Sequence, residues 1–208
     1  MPRSTERRAA VKRQTKETEI EIELTLDDPG RVQIETGIGF FDHMLGALAK
    51  HGRLGLKVKA RGDLHIDQHH LVEDVGIVLG TALREALGDD LRIRRFAHAY
   101  APLDDALARA VVDISGRAHL GWGLAFSRPL VGGFDTDLVR EFFAALVQNA
   151  AINLHLDLIR GDNAHHQIEA VFKATALALR DAVRREDGPG GVPSTKGTLS
   201  EAAARRRK

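Results

Sequence analysis

The pattern His-His-x-x-Glu occurs twice in this chain, as His69-His70-Leu71-Val72-Glu73 and as His165-His166-Gln167-Ile168-Glu169. On a helix, residues four apart share a face. His69 and Glu73 therefore point the same way, as do His165 and Glu169, and each pair forms half of a metal site. The neighbouring histidine of each pair lies about 100° round the helix, where it reaches a second ion rather than the same one. Two such motifs facing each other give a symmetric arrangement, each metal taking a His/Glu pair from one motif and the spare histidine from the other. Imidazole and carboxylate donors without sulfur suit Mn²⁺, Fe²⁺, Co²⁺ or Zn²⁺ and argue against Cu(I). A single helical histidine is ordinarily a surface residue or a satisfied core residue. Adjacent histidines with a spaced Glu, repeated in matching places, are harder to explain as packing, because burying so many ionisable groups without a metal is costly.

Five of the ten histidines lie between His43 and His70. His43 belongs to Phe40-Phe41-Asp42-His43-Met44, which has helical spacing. The pairs Ala47-Leu48 and Ala145-Leu146 set the local repeat spacing at 98 residues, which places Glu141 opposite His43. The expected ligand sets are then His43, His69, Glu73 and His166 for one ion, and Glu141, His165, Glu169 and His70 for the other.

The elements that must position these residues are legible as a duplication. Ile20, Ile22, Leu24 and Leu26 alternate with Glu19, Glu21 and Glu23 as in a half-buried strand. Asp27-Asp28-Pro29-Gly30 is a turn. A second strand over 32–36, a helix over 40–48, a strand over 54–60 and a helix over 71–87 follow. The second half repeats the order: strands at 108–114 and 119–126, a helix over 138–147, a strand over 152–158 and a helix over 166–183. Arg61-Gly62-Asp63 answers Arg160-Gly161-Asp162, as Gly30-Arg31 answers Gly116-Arg117. The reading is an α+β fold of duplicated β-β-α-β-α half-domains, with sheets packed under helices. Its parts are a flexible, basic arm over 1–16, half-domains over 17–92 and 93–187, and a tail over 188–208 that contains Ser194-Thr195-Lys196-Gly197.

Composition narrows the function classes. At roughly 150 residues per domain, 208 residues make one large domain or two small ones. The chain has no Cys, so there are no disulfides, thiolate nucleophiles or sulfur-ligated metals. No apolar run approaches the roughly 20 residues of a membrane span, and no signal peptide is visible. The chain therefore reads as cytoplasmic, with no membrane partner. A net charge of +1 gives no case for nucleic acid as a partner.

Four motifs, Phe40-Phe41-Asp42-His43-Met44, Asp67 to Asp74, Asn163 to Lys173 and Ser194-Thr195-Lys196-Gly197, together resemble the imidazoleglycerol-phosphate dehydratase family of histidine biosynthesis. The resemblance runs from about Glu17 to Ser200. It implies half-domains related to the second domain of ribosomal protein S5. It also implies two Mn²⁺ per active site and a large cubic homo-oligomer of roughly 24 subunits, with sites between subunits. The reaction implied is loss of water from D-erythro-imidazole-glycerol phosphate to give imidazole acetol phosphate. Some family members carry His where Glu141 stands here; a carboxylate can bind Mn²⁺ as well.

For the substrate's phosphate the resemblance selects Arg95, Arg117, Lys173, Ser194, Thr195 and Lys196, Arg being suited to bidentate phosphate contacts. Taken alone, each of these charges reads as solvated surface. Glu17, just before the first strand, matches an active-site Glu of the family and is assigned substrate binding and acid/base work. His43 and His51 fall in substrate-contacting positions. Rival readings are a dinuclear metallohydrolase, which favours Asp-rich loops, and a ferritin-like bundle, which needs Glu-x-x-His on long helices without intervening strands. A third, a nucleic-acid module, needs a basic stripe with aromatics, which the central region lacks.

Overall fold

Alternation along the first half settles its sheet. Ile20, Ile22 and Leu24 are buried, as are Leu56, Val58 and Ala60 on the strand beside them. The side chains between them are charged and face outward: Glu23 opposes Lys57, and Glu21 opposes Lys59. Cross-strand pairs of this kind fix register, because a slip of one residue would turn the apolar set to solvent.

The computed structural model describes residues 6–88 and 92–186. The first half contains β1 (Arg8–Gln14), β2 (Thr18–Thr25), β3 (Val32–Glu35), α1 (Gly39–Gly52), β4 (Gly55–Gly62) and α2 (His69–Leu87). The second contains β5 (Phe96–Leu103), β6 (Ala106–Asp113), β7 (His119–Gly123), a hairpin of β8 (Leu130–Val131) and β9 (Phe134–Asp135), α3 (Leu138–Ala150), β10 (Asn153–Arg160) and α4 (Ala164–Ala182). The four-stranded sheets have matching orders, β1-β2-β4-β3 and β5-β6-β10-β7, each with one parallel pair at the β3 or β7 edge. The fold is therefore the expected pair of α+β half-domains.

The structure corrects the sequence reading in two places. Each half carries one strand more than expected, so its order is β-β-β-α-β-α. The first of these extra strands lies within the stretch read as a flexible arm. Residues 8–14 pair with β2 along its whole length. Their alternation of Ala9 and Val11 with Arg8, Lys12 and Arg13 is too polar to be read as a strand. What holds it is pairing plus Lys12, whose ammonium lies 2.8 Å from Glu19 and 2.7 Å from Glu21. β5 escaped for a related reason: its inward residues include Ala97 and Ala101, which carry little hydrophobic signal. The tail over 188–208, with Ser194, Thr195 and Lys196, lies outside the described residues.

The halves share one core. α2 packs on β1 and β2 and against α3, while α4 packs on β5 and β6 and against α1. Phe41, Phe142, Phe143 and Phe172 are fully buried where α1, α3 and α4 meet, with ring centroids 5.3 Å apart for Phe41–Phe142 and 4.9 Å for Phe143–Phe172. Such pairs add about 0.5–1.5 kcal/mol beyond the area they bury. Gly76 and Gly80 on α2 lie against the backbone of α3 at Phe142 and Leu146, leaving no room for a Cβ. The small residues bring α2 and α3 into close contact and fix where the N-terminus of α2, with its two histidines, comes to lie.

Candidate metal and substrate site

Both His-His pairs sit in the first turn of a helix. On α4 the Asn163 side chain accepts from the main-chain N–H groups of His165 and His166, capping the helix. On α2 the corresponding work is done by Asp67, whose carboxylate accepts from the N–H of His69 at 2.8 Å. These caps hold N–H groups that have no partner within the helix, and they fix the direction in which each His pair leaves its helix.

The clearest cluster joins α1 to α4. Nε2 of His43 lies 3.0 Å from Glu169 Oε2, and Nε2 of His165 lies 3.2 Å from the same oxygen. The three donor atoms lie within 4.8 Å of one another. Lys173, one turn further along α4, reaches the other oxygen, Oε1, at 2.7 Å. Burial alone would raise the Glu169 carboxyl, but hydrogen bonds from Lys173 and His43 outweigh it and hold the group at about 2. Glu169 is thus an anion with one oxygen held by Lys173 and the other turned to two imidazoles. Donor atoms this close can converge on one first-row ion with bonds near 2.0–2.2 Å, and two imidazoles with one carboxylate suit the borderline divalent ions. Phe40 packs against His165 at 5.2 Å and supports it from the α1 side.

Within one chain His43 meets His165 and Glu169, because α1 packs alongside α4; the expected set joined it to His69, Glu73 and His166. His69 and Glu73 do share a face of α2, with Nε2 and Oε2 3.9 Å apart. Glu141 lies on α3 and lines an open cleft of about 510 Å³ with Trp122, Phe126, Arg128, Arg140 and neighbouring residues. Among the described residues it makes no hydrogen bond or ion pair with another expected ligand.

The two spare histidines turn to carboxylates. His70 Nδ1 lies 3.0 Å from Asp63 Oδ2 and 3.9 Å from Glu17 Oε2. Its pKa is raised, chiefly by the hydrogen bond to Asp63, with the Glu17 charge adding to the effect. His166 Nδ1 lies 2.6 Å from Asp105 Oδ1. That contact, with two main-chain N–H groups, holds Asp105 well below the usual carboxylate range. Asp63 and Asp105 were not among the expected site residues. The Arg-Gly-Asp repeat contains Asp63 but marks only the duplication. His51, further along α1, is pushed down by burial first and then by the Lys173 charge.

The phosphate candidates do not gather here. Arg95 donates to Asp113 at 2.7 Å and stacks over Phe96, with its own N–H bonded to the Ala182 carbonyl at the far end of α4. Arg117 lies in the turn before β7 at the same end of the second sheet, its main-chain carbonyl held by Asn153. From Glu169 to Ala182 along the helix is about 20 Å. Lys173 is at the His165 end, on Glu169. Within one chain, Arg95 and Arg117 are therefore remote from the His165–His166 pair.

The profile of the family described as imidazoleglycerol-phosphate dehydratase matches residues 36–179. The chain is 54% identical over 199 residues to the imidazoleglycerol-phosphate dehydratase of Salinibacter ruber, covering 96% of this chain and 98% of that one. It is 56% identical over 194 residues to that of Gluconobacter oxydans, covering 93% and 98%. The crystal structure of imidazoleglycerol-phosphate dehydratase from Staphylococcus aureus superposes with a TM-score of 0.79 at 43% identity, covering 86% of this chain and 99% of that one.

Proposed function

The chain belongs to the imidazoleglycerol-phosphate dehydratase family, and from that premise we propose a manganese-dependent dehydration of imidazole-glycerol phosphate at sites shared between copies of the chain. The activity is that of a hydro-lyase of histidine biosynthesis. No described helix is long and apolar enough to cross a membrane, and we place the enzyme, with its phosphorylated substrate, in the cytoplasm. The observation that carries the metal reading is the convergence of His43, His165 and Glu169, with Lys173 fixing the Glu169 carboxylate.

Two Mn²⁺ ions, held by the His-His-x-x-Glu ligands with His43 and Glu141, would act as Lewis acids that acidify the substrate carbon bearing the imidazole. Glu73 and Glu169 supply the negative charge that retains divalent ions. Lys173 leaves Glu169 a single free oxygen and so fixes its direction. We assign Glu17, beside His70 and largely exposed, to hold and move a proton at its carboxylate. His51 on α1, whose pKa burial and the nearby Lys173 charge push down, is assigned to substrate contact.

Arg95 and Arg117 bind the phosphate, assisted by Ser194, Thr195 and Lys196. The substrate is roughly 10 Å long, at about 1.5 Å per bond, and cannot span the distance along α4 from Glu169 to Arg95. We therefore assign the arginines of one copy to the metal ligands of another. This supports the large symmetric homo-oligomer that the family resemblance implies. The test is to incubate full-length protein, loaded with Mn²⁺, with imidazole-glycerol phosphate and follow loss of one water by mass spectrometry. The ketone product is expected with Mn²⁺ and none after chelation; equal turnover by the chelated protein overturns the metal reading.

A further inference from the structure

We infer that Asp63 and Asp105 are positioning residues: each carboxylate holds the Nδ1 edge of one spare histidine, His70 or His166, and so presents Nε2 outward as the donor. What Nε2 binds rests on the metal reading above; the pairing rests on geometry.

An imidazole has two nitrogens, and the partner of one decides what the other can do. In both repeats the engaged nitrogen is Nδ1, at 3.0 Å from Asp63 Oδ2 and at 2.6 Å from Asp105 Oδ1. A neutral ring bonded this way carries its proton on Nδ1 and leaves the Nε2 lone pair free. A carboxylate on the far nitrogen also raises ligand basicity and fixes ring direction.

The two repeats reach this arrangement from positions that do not correspond. Asp105 immediately precedes β6, and the residue that immediately precedes β2 is Glu17. Asp63 follows β4 in Arg61-Gly62-Asp63, and its counterpart is Asp162 in Arg160-Gly161-Asp162. In the first half the residue after the strand holds the histidine, while Glu17 stands 3.9 Å away with 58% of its side chain exposed. In the second half the residue before the strand holds it, and Asp162 contributes main-chain atoms: its N–H donates to Asp105 at 2.6 Å and its carbonyl accepts from Ser127. Shared ancestry alone would put the carboxylate at the same position in both halves. The constant feature is a carboxylate on Nδ1.

The surroundings agree. Asp63 is 11% exposed, and its Oδ1 is buried with no hydrogen-bond partner among the described residues. A buried carboxylate oxygen left without a partner is unfavourable, so Asp63 is poorly explained as a purely structural residue, and its side-chain hydrogen bond goes to His70. Asp105 uses its second oxygen on the N–H groups of Asp162 and Asn163, which sets the loop that caps α4. His166 is also faced by Asp104, 3.7 Å from Nε2. Because Asp63 takes the His70 bond, Glu17 keeps a free carboxylate for proton transfer.

The test uses the full-length protein stripped of metal and titrated with Mn²⁺, with free ion followed by electron paramagnetic resonance. Asp63→Ala should weaken Mn²⁺ binding about ten- to a hundredfold while the metal-free melting temperature stays put. Asp63→Asn should recover most of the affinity, because an amide oxygen still accepts from Nδ1–H. Asp105→Asn is the matching variant for His166, since Asp105→Ala would also release the loop. A crystal structure of metal-free Asp63→Ala should show the His70 ring turned away from its wild-type direction. Wild-type affinity in Asp63→Ala, an unmoved ring, or a loss of metal-free stability that Asp63→Asn fails to repair each overturns the inference. If the wild-type protein itself binds no Mn²⁺, the metal reading falls separately, and the ring direction still decides the pairing.

Discussion

Arg7 donates through Nη1 to the main-chain carbonyl of Val183 at 2.6 Å, tying the beginning of the described chain to the end of its last helix. The guanidinium is buried and also donates from Nε to both oxygens of Asp27 at 3.1 Å. One side chain thus closes β1 onto the turn after β2 and onto the C-terminal end of α4. Removing it strands a carbonyl and a carboxylate.

Arg7→Met should lower stability by about 1.5–3 kcal/mol, the range for hydrogen bonds to charged groups. Thermal melts should show a drop of about 5–10 °C. The hydrogen bond from Arg7 holds the Asp27 pKa below its ordinary value. A depressed pKa stabilises the fold fully above the unfolded value near 4 and loses that contribution as pH falls through the folded one. The gap between wild type and Arg7→Met should therefore be widest above about pH 4 and narrow below it. A gap that grew in acid would assign the stabilisation to something other than this ion pair.

Glu169→Gln keeps the shape and removes the charge that faces His43 and His165. Activity should fall steeply, with one of the two proposed ions lost by elemental analysis, and circular dichroism should remain native. Lys173→Met should act through Glu169: its carboxylate loses a hydrogen-bonded cation, so Mn²⁺ binding and turnover should decline together. A Lys173→Met protein with full metal and normal turnover would show that Lys173 serves only packing.

On the proposed reading, Arg117 and Arg95 separate phosphate binding from structure. Among the described residues the Arg117 guanidinium makes no hydrogen bond or ion pair, whereas Arg95 is bound to Asp113 and stacked on Phe96. Arg117→Ala should weaken substrate binding about ten- to a hundredfold, the worth of a charged hydrogen bond, with metal content and melting temperature unchanged. Arg95→Ala should lose both binding and stability. Loss of metal rather than substrate affinity in Arg117→Ala would make it a structural residue.

How far the sequence could be read follows from the kind of signal each feature leaves. The alternation Ile20, Ile22, Leu24 and the helical run from Leu71 are strong periodic patterns, and the structure places elements there. Ala97, Ala101, Ala9 and Val11 bury small surfaces, so β5 and β1 give almost no periodicity. The i, i+4 spacing was enough to put His69 with Glu73 and His165 with Glu169. It could not say that His43 faces α4, because helix pairing is decided by the Phe41–Phe142–Phe172 packing and by the close α2–α3 contact at Gly76 and Gly80. Asp63 and Asp105 were invisible for the same reason: a carboxylate beside a histidine in space leaves no mark when their spacing differs between the repeats.

On the proposal of metal sites shared between copies, acid should take the assembly apart before it unfolds the chain. Metal ligation needs each histidine neutral, and free imidazole titrates near pH 6.5. His70 is raised above that value by Asp63, so protons compete for it at a higher pH than for an ordinary histidine. The sign for the metal-free fold is opposite: a raised folded pKa stabilises the folded protein in its protonated form, and that contribution is fully present below the unfolded value. The carboxylates that hold the fold are lowered, Glu169 to about 2 and Asp27 below its usual range, so their contributions persist until the pH drops below about 4–4.5. Between about pH 6 and pH 4.5, light scattering should therefore show the large oligomer giving way to smaller species while circular dichroism stays native. EDTA at neutral pH should do the same, and Mn²⁺ should restore the oligomer, because binding free energy at a site shared between copies is also assembly free energy. An oligomer of unchanged mass after verified metal removal would show that contacts between protein surfaces alone hold it together.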